Sequence, residues 1–255
     1  MSESQTRTAY SQQQYDEGYP IGIDAHWWNS SRCRHIADQL KELNLTQARI
    51  LEIGCGRGAV VKGLQEYGIN AMGVELADVE PLVEVSSRVR TGTDAAALSQ
   101  EERDATEVIL LLDVIEHIEN EQEFIENILQ EFPSTHTLII TVPACSELWS
   151  DFDQYYGHFR RYDLQMLDSL IGEMGHTTLL NKYFFHFLYL PARCMSALGI
   201  QRGLILKPPQ GRIQRLLHRF FAFIMWLDNR LISGAVKGSS AIAAVRIAKS
   251  PLHAK

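Results

Sequence analysis

Glu52-Ile53-Gly54-Cys55-Gly56-Arg57-Gly58 sets three glycines at alternate positions just behind an acid, and a second acid, Glu75, closes the next apolar run. Glycines at a strand-to-helix turn let a ligand approach the backbone, and the N-terminus of the following helix favours negative groups. An acid at the tip of the neighbouring strand can accept both hydroxyls of a ribose. These residues point to a nucleoside-containing ligand. A dinucleotide fingerprint would read G-x-G-x-x-G; the G-x-G-x-G turn here disfavours an NAD-dependent oxidoreductase. Further along, Arg160 and Arg161 could clamp a carboxylate or phosphate of an acceptor, since guanidinium pairs bidentately with both. They could equally be surface arginines ahead of a helix, one of them paired with Asp153. Trp149, Tyr155 and Tyr156 bring aromatic surface to the same segment and would line an acceptor pocket, which Trp27 and Trp28 could close unless they pack in the core.

The pattern around these residues supplies the elements that must position them. Residues 1–23, rich in Gln, Ser and Tyr at their start, read as a flexible arm, and 24–43 as a helix. A short strand over 48–53 meets the glycine turn, a helix follows over 60–67, and a second strand over 70–75 ends on Glu75. Further strands are expected at 87–91, 108–113, 137–142 and 177–184, with a helix over 120–131 and another capped by Asp163. The unbroken apolar run 108–112 suits a strand buried on both faces. Strands alternating with helices at this interval indicate βαβ units and a parallel sheet. The last strand is expected at 240–248.

The turn Ile50-Leu51-Glu52-Ile53-Gly54-Cys55-Gly56-Arg57-Gly58 resembles motif I of class I S-adenosylmethionine-dependent methyltransferases. Leu112-Asp113-Val114-Ile115-Glu116-His117-Ile118 is similar to that family's segment at the end of its fourth strand, and 138–144 to its fifth strand. His26-Trp27-Trp28 with Arg32 or Arg34, and the stretch from Leu148-Trp149-Ser150 to Gly157-His158-Phe159-Arg160-Arg161-Tyr162, resemble a type 11/23-like subgroup. The resemblance implies a Rossmann-like α/β fold: a seven-stranded methyltransferase sheet with helices on both faces and a helical insertion before the last strand. The core would span 24–182, the insertion 183–238, and the last strand with its tail 239–255.

The same resemblance assigns roles around an S-adenosylmethionine cofactor. Backbone atoms of Gly54, Cys55 and Gly56 would face it, with Glu52 near its methionine end and Glu75 on the ribose. Leu112 and Asp113 would line the methionine side, and Asp94 is the family-position candidate near the adenine. His158, in the loop after the fifth strand, is the leading base and His117 the runner-up. Some methyltransferases of this class hold a divalent ion through an acid-x-x-Glu-His cluster, which Asp113, Glu116, His117 and His158 could mimic. Many relatives carry those residues without one, and no metal is expected here. A non-catalytic protein that only binds the cofactor is the other functional class left open.

Composition bounds the partners. The 255 residues carry 24 Lys plus Arg against 31 Asp plus Glu, a net charge of −7, which argues against a general nucleic-acid binder. Four scattered cysteines suggest no disulfide framework, and the cytoplasm, or the inner membrane surface, is the expected place. Eight basic residues and one acid lie in 183–237, so that segment carries 8 − 1 = +7 and the remainder −14. Within it, residues 212–232 place apolar side chains at three- and four-residue steps with arginines alongside. That helix is either a lid or homodimer face, or an element lying on a membrane surface. The latter would imply a lipid-linked rather than a small water-soluble acceptor.

Overall fold

The computed structural model describes residues 11–200 and 206–248. Seven strands form one sheet: β1 (Ile50–Ile53), β2 (Ala71–Val74), β3 (Val89–Arg90), β4 (Val108–Leu112), β5 (Thr137–Pro143), β6 (Thr177–Phe184) and β7 (Ser240–Arg246). Their order is β3-β2-β1-β4-β5-β7-β6. The first five run parallel, and β7 inserts antiparallel between β5 and β6. The order reverses between β1 and β4, and at such a switch point the strand ends open a crevice for ligands.

The residues of β4 explain why helices cover both faces. Successive strand side chains point to opposite sides, and β4 sorts accordingly. Ile109 and Leu111 join a core with α5 (Glu121–Glu131) and α7 (Leu164–Glu173), through Ile125, Ile128, Leu167 and Ile171. Val108, Leu110 and Leu112 join a second core with α2 (Trp27–Glu42) and α3 (Ala59–Gln65), through Ile36, Leu40, Val60 and Leu64. All five β4 residues are buried. The expected helix ends are realised: Asn120 and Asp163 accept from the backbone N–H of Glu123 and Met166.

The expected flexible arm over 1–23 needs correction. Residues 1–10 lie outside the described residues, but Gln12–Gly18 form helix α1. A reciprocal capping box between Ser11 and Gln14 starts it, and Tyr15 is buried beneath it. The polar composition had hidden two tyrosines spaced to face inward. A short α4 (Gln100–Ala105) leads into β4, and α6 (Asp151–Tyr155) follows β5. The insertion consists of α8 (His186–Ala197) and α9 (Gly211–Leu231), while Tyr183 and Phe184, where the expected strand and insertion overlapped, belong to β6, as the strand 177–184 had it. The C-terminal tail beyond 248 lies outside the described residues.

Candidate active site

At the carboxyl ends of β1, β2 and β4, a cavity of about 360 Å3 opens among Glu52, Gly54, Cys55, Gly56, Glu75, Asp94, Leu112 and Asp113. Every cofactor residue expected from sequence therefore meets at one place. The turn after β1 can form because Gly54, Gly56 and Gly58 take φ of 79°, 55° and 84°, a region where side chains are strained. At Gly58 a Cβ would also lie 2.5 Å from Val89 Cγ2 and 3.1 Å from Val85 Cγ2, so any other residue must push these branched side chains aside. Glu75 locks this turn to β2: its carboxylate accepts the backbone N–H of Gly56 at 2.9 Å and of Ala77 at 2.8 Å. A carboxylate offers about four acceptor positions, so capacity remains on the cavity side. Asp94 stands at the exposed rim, where its side chain caps Ala96 N–H at 2.9 Å.

The floor is charged and buried. Asp113 turns back at the end of β4 with φ of 56°, and Arg32 from α2 reaches its carboxylate at 2.8 Å. Thr141 on β5 donates its hydroxyl to the same carboxylate at 3.1 Å. Of the two arginines that resemblance left open, Arg32 enters the cavity wall, while Arg34 points away and stacks on Trp226 at 4.0 Å. Glu52 is buried beside them with one carboxylate oxygen lacking a hydrogen-bond partner. Burial pushes its carboxyl up to about 8, against the pull of Arg32.

Next to this floor lies a group of ionisable side chains. His117 lines the cavity; burial, and then the neighbouring His158, hold its imidazole down at about 4. The two rings meet edge to face at 4.6 Å. His158 does not line the cavity itself. Its Nδ1 sits 2.8 Å from Asp153, whose own carboxyl stays at about 2 because His158 and Arg161 outweigh its burial. Glu116 is fully buried with neither carboxylate oxygen bonded to another residue, and burial pushes its carboxyl far above the usual range. Glu116, His117 and His158 offer ligand atoms within 4.8 Å of one another, an arrangement that could hold a divalent cation.

The expected acceptor residues are not brought into the cavity wall. Arg161 is buried and spent on Asp153 (2.8 Å) and the Ala144 carbonyl (3.1 Å). Arg160 pairs with Glu121 and the Glu119 carbonyl. Both therefore brace the loop after β5 instead of clamping an anion. Trp149 is half-buried in that loop, and its carbonyl accepts from Ser196 on α8. Tyr155 donates its hydroxyl to Glu17 at 2.5 Å, and its carbonyl accepts from Gln14, so it holds α1 in place.

Sequence reasoning missed what α1 does: Tyr15 and Tyr19 both line the cavity. The Tyr15 hydroxyl bonds Glu75, and burial followed by that carboxylate raises its pKa. Arg57 of the glycine turn pairs with Asp16 at 3.0 Å. The helix is thus strapped across the cavity mouth, from the glycine turn to α6. The available signal was the four-residue spacing of Tyr15 and Tyr19.

Residues 26–180 match the family model described as a methyltransferase domain. The chain belongs to that family, in the class that draws its methyl group from S-adenosylmethionine. The ubiquinone biosynthesis O-methyltransferase of Rickettsia bellii (strain OSU 85-389) is 24% identical over 138 residues, which cover 47% of this chain and 58% of that protein. The chain thus spans just over half the length of that curated relative. Among solved structures, magnesium protoporphyrin IX methyltransferase from Synechocystis PCC 6803 superposes with a TM-score of 0.50 at 12% identity, covering 95% of this chain and 90% of its own. The plantazolicin methyltransferase gives 0.51 at 12% identity, with coverage of 93% and 89%. At such identities the likeness is one of fold.

Proposed function

We propose that this protein is an O-methyltransferase acting on a small or lipid-linked hydroxyl acceptor. The observation that carries the cofactor half of this reading is Glu75, fixed by two backbone amides at the cavity edge. The donor set suits the whole cofactor: a glycine turn for close backbone approach, Glu75 for the ribose hydroxyls, Arg32, whose buried Nε lacks a partner beside its pair with Asp113, for a carboxylate, and Glu52 for an ammonium. When bound, S-adenosylmethionine supplies an electrophilic methyl group on positively charged sulfur, open to in-line displacement by the acceptor oxygen. The chain's part is mostly positioning and exclusion of water. Tyr15 and Tyr19 cover the site from α1. His117, neutral at pH 7 and in the cavity wall, accepts the hydroxyl proton, and the nearby Asp113 carboxylate favours the charge this leaves on the ring. The likeness to ubiquinone biosynthesis O-methyltransferases supports oxygen as the accepting atom. The sequence expectation of an anionic acceptor loses its basis, because Arg160 and Arg161 are already paired.

A second version of the same chemistry is favoured by the unbonded Glu116 carboxylate. In it Glu116, His117 and His158 would hold a divalent cation, which would supply Lewis acidity to lower the pKa of an acceptor hydroxyl. Incubation with heavy-methyl S-adenosylmethionine and cell extract, split into lipid and aqueous fractions, tests the function. A methylated hydroxyl product that disappears in Glu75→Ala supports it; S-adenosylmethionine binding with no labelled product in either fraction would leave a cofactor-binding protein only. Chelation followed by add-back of Mg or Mn separates the two versions.

A further inference from the structure

Helix α9 is apolar on two opposite sides, and the fold uses one of them. His218 accepts the Trp27 N–H at 3.1 Å and Met225 is buried in the second core, which fixes the side that faces α2. At 3.6 residues per turn the opposite side carries Ile213, Leu216, Phe220 and Leu231. They are 78%, 68%, 57% and 73% exposed. Ile213, Leu216 and Phe220 are successive neighbours, with Leu217, Phe221 and Phe223 exposed beside them; this exceeds the single apolar side chains scattered over ordinary surfaces, and marks a partner.

Charge identifies the partner. Arg212, Arg215 and Arg219 line one flank of the stripe, all exposed, and no ion pair holds them among the described residues. Arg215 and Arg219 border a groove that also holds Glu80 and Glu84, yet no contact forms between them. The helix has one acid, Asp228, which is fully buried and faces inward to cap α8 through the N–H groups of His186 and Phe187 at 2.7 and 3.3 Å. A second copy of α9 would meet this face with the same three unpaired arginines and no exposed acid on the helix itself to offset them. A surface that is apolar within and anionic at its rim has no such conflict. No helix among the described residues is long and apolar enough to cross a membrane.

We infer that the outer face of α9 docks on an anionic lipid bilayer, lying in the headgroup region with its arginine flank toward the phosphates. The segment leading into α9 touches the strap over the cavity: Leu206 N–H donates to the Glu17 carbonyl at 3.2 Å, and Pro208 lies against Gly22. Docking would therefore hold the strap over the cavity near the bilayer, from which a lipid-linked acceptor would be drawn. That last step rests on the proposed function; the docking itself does not.

Vesicle co-sedimentation of the full chain tests it, using phosphatidylcholine vesicles with and without phosphatidylglycerol. Pelleting should require phosphatidylglycerol and should reverse at about 0.5 M salt, where the screening length shrinks to a few ångströms. Reversing Arg212, Arg215 and Arg219 to Glu should lower partitioning by roughly a hundredfold or more, and Leu216→Ser with Phe220→Ser should abolish it. Both variants should keep wild-type S-adenosylmethionine affinity, since none of these residues lines the cavity. Equal recovery in the supernatant with and without anionic vesicles overturns the inference. So does a concentration-dependent dimer in light scattering that Leu216→Ser with Phe220→Ser dissolves. Methyl transfer to water-soluble acceptors, measured in parallel, reports separately on the proposed function.

Discussion

Replacing Glu75 by Ala removes the acid that would hold the ribose, and the structure sets the size of the effect. Each carboxylate oxygen already accepts one backbone N–H, from Gly56 and from Ala77. Two acceptor positions thus remain for ligand hydroxyls. A hydrogen bond to a charged group contributes about 1.5–3 kcal/mol. Part of this is offset because the Tyr15 hydroxyl must give up the same carboxylate when the ribose arrives. A net loss of about 2–3 kcal/mol follows, a Kd roughly thirty- to over a hundredfold weaker. The variant also leaves the Gly56 and Ala77 amides without their acceptor. Water from the open cavity can replace it, so the fold should survive with a lowered melting temperature. Calorimetric titration of S-adenosylmethionine into wild type and Glu75→Ala, with circular dichroism on both, reads the two effects apart. A well-folded variant binding within twofold of wild type would refute the assignment of Glu75 to the ribose.

Three further outcomes are expected. Arg32→Ala strands the Asp113 carboxylate; removing one partner of a buried pair costs about 3–5 kcal/mol, and with Asp113 one-fifth exposed the lower end applies, so denaturant unfolding should show a loss near 3 kcal/mol that Asp113→Ala partly restores. His35 is buried against Phe184 with its imidazole held down at about 3, well below the 6.5 of an unfolded chain. Its contribution is therefore complete above about pH 6.5 and is lost as pH falls toward 3, by up to about 1.4 kcal/mol per pH unit; His35→Phe should flatten the urea midpoint across that window. Glu52, held at about 8 by burial, is mostly protonated at pH 7 and should release close to one proton as a cation docks beside it. Titrations in buffers of different ionisation enthalpy should reveal that proton in wild type, and an identical release in Glu52→Gln would assign it elsewhere.

How much of this was legible in the sequence differs by residue. The glycine turn, Glu75 and the β4 run could be read directly, because alternate glycines, a strand-end acid and an unbroken apolar stretch are local signals of a ligand-binding βαβ unit. Asp163 announced its helix as a capping residue, and the helix expected over 120–131 begins where Asn120 caps it. Arg160 and Arg161 stayed open between an acceptor clamp and a pairing with Asp153, since a guanidinium suits either, and only the folded loop decides which it meets. Tyr15 and Tyr19 were hidden in a polar segment whose order comes from long-range contacts with Glu75, Arg57 and Tyr155. Arg32 could not be told from Arg34 by spacing, because helix rotation, fixed by packing on the sheet, sends one to Asp113 and the other to Trp226. The amphipathic stripe of α9 was visible early. Which of its two apolar sides packs, and which stays exposed, depended on His218 and Met225 finding α2.

The central claim is that the cavity above β1, β2 and β4 takes S-adenosylmethionine. Isothermal titration of the purified chain with S-adenosylmethionine, S-adenosylhomocysteine and NADH tests it most directly. One equivalent of S-adenosylmethionine should bind, S-adenosylhomocysteine should compete for the same site, and NADH should give no heat. Saturable NADH binding, with neither adenosyl compound bound, would contradict the account.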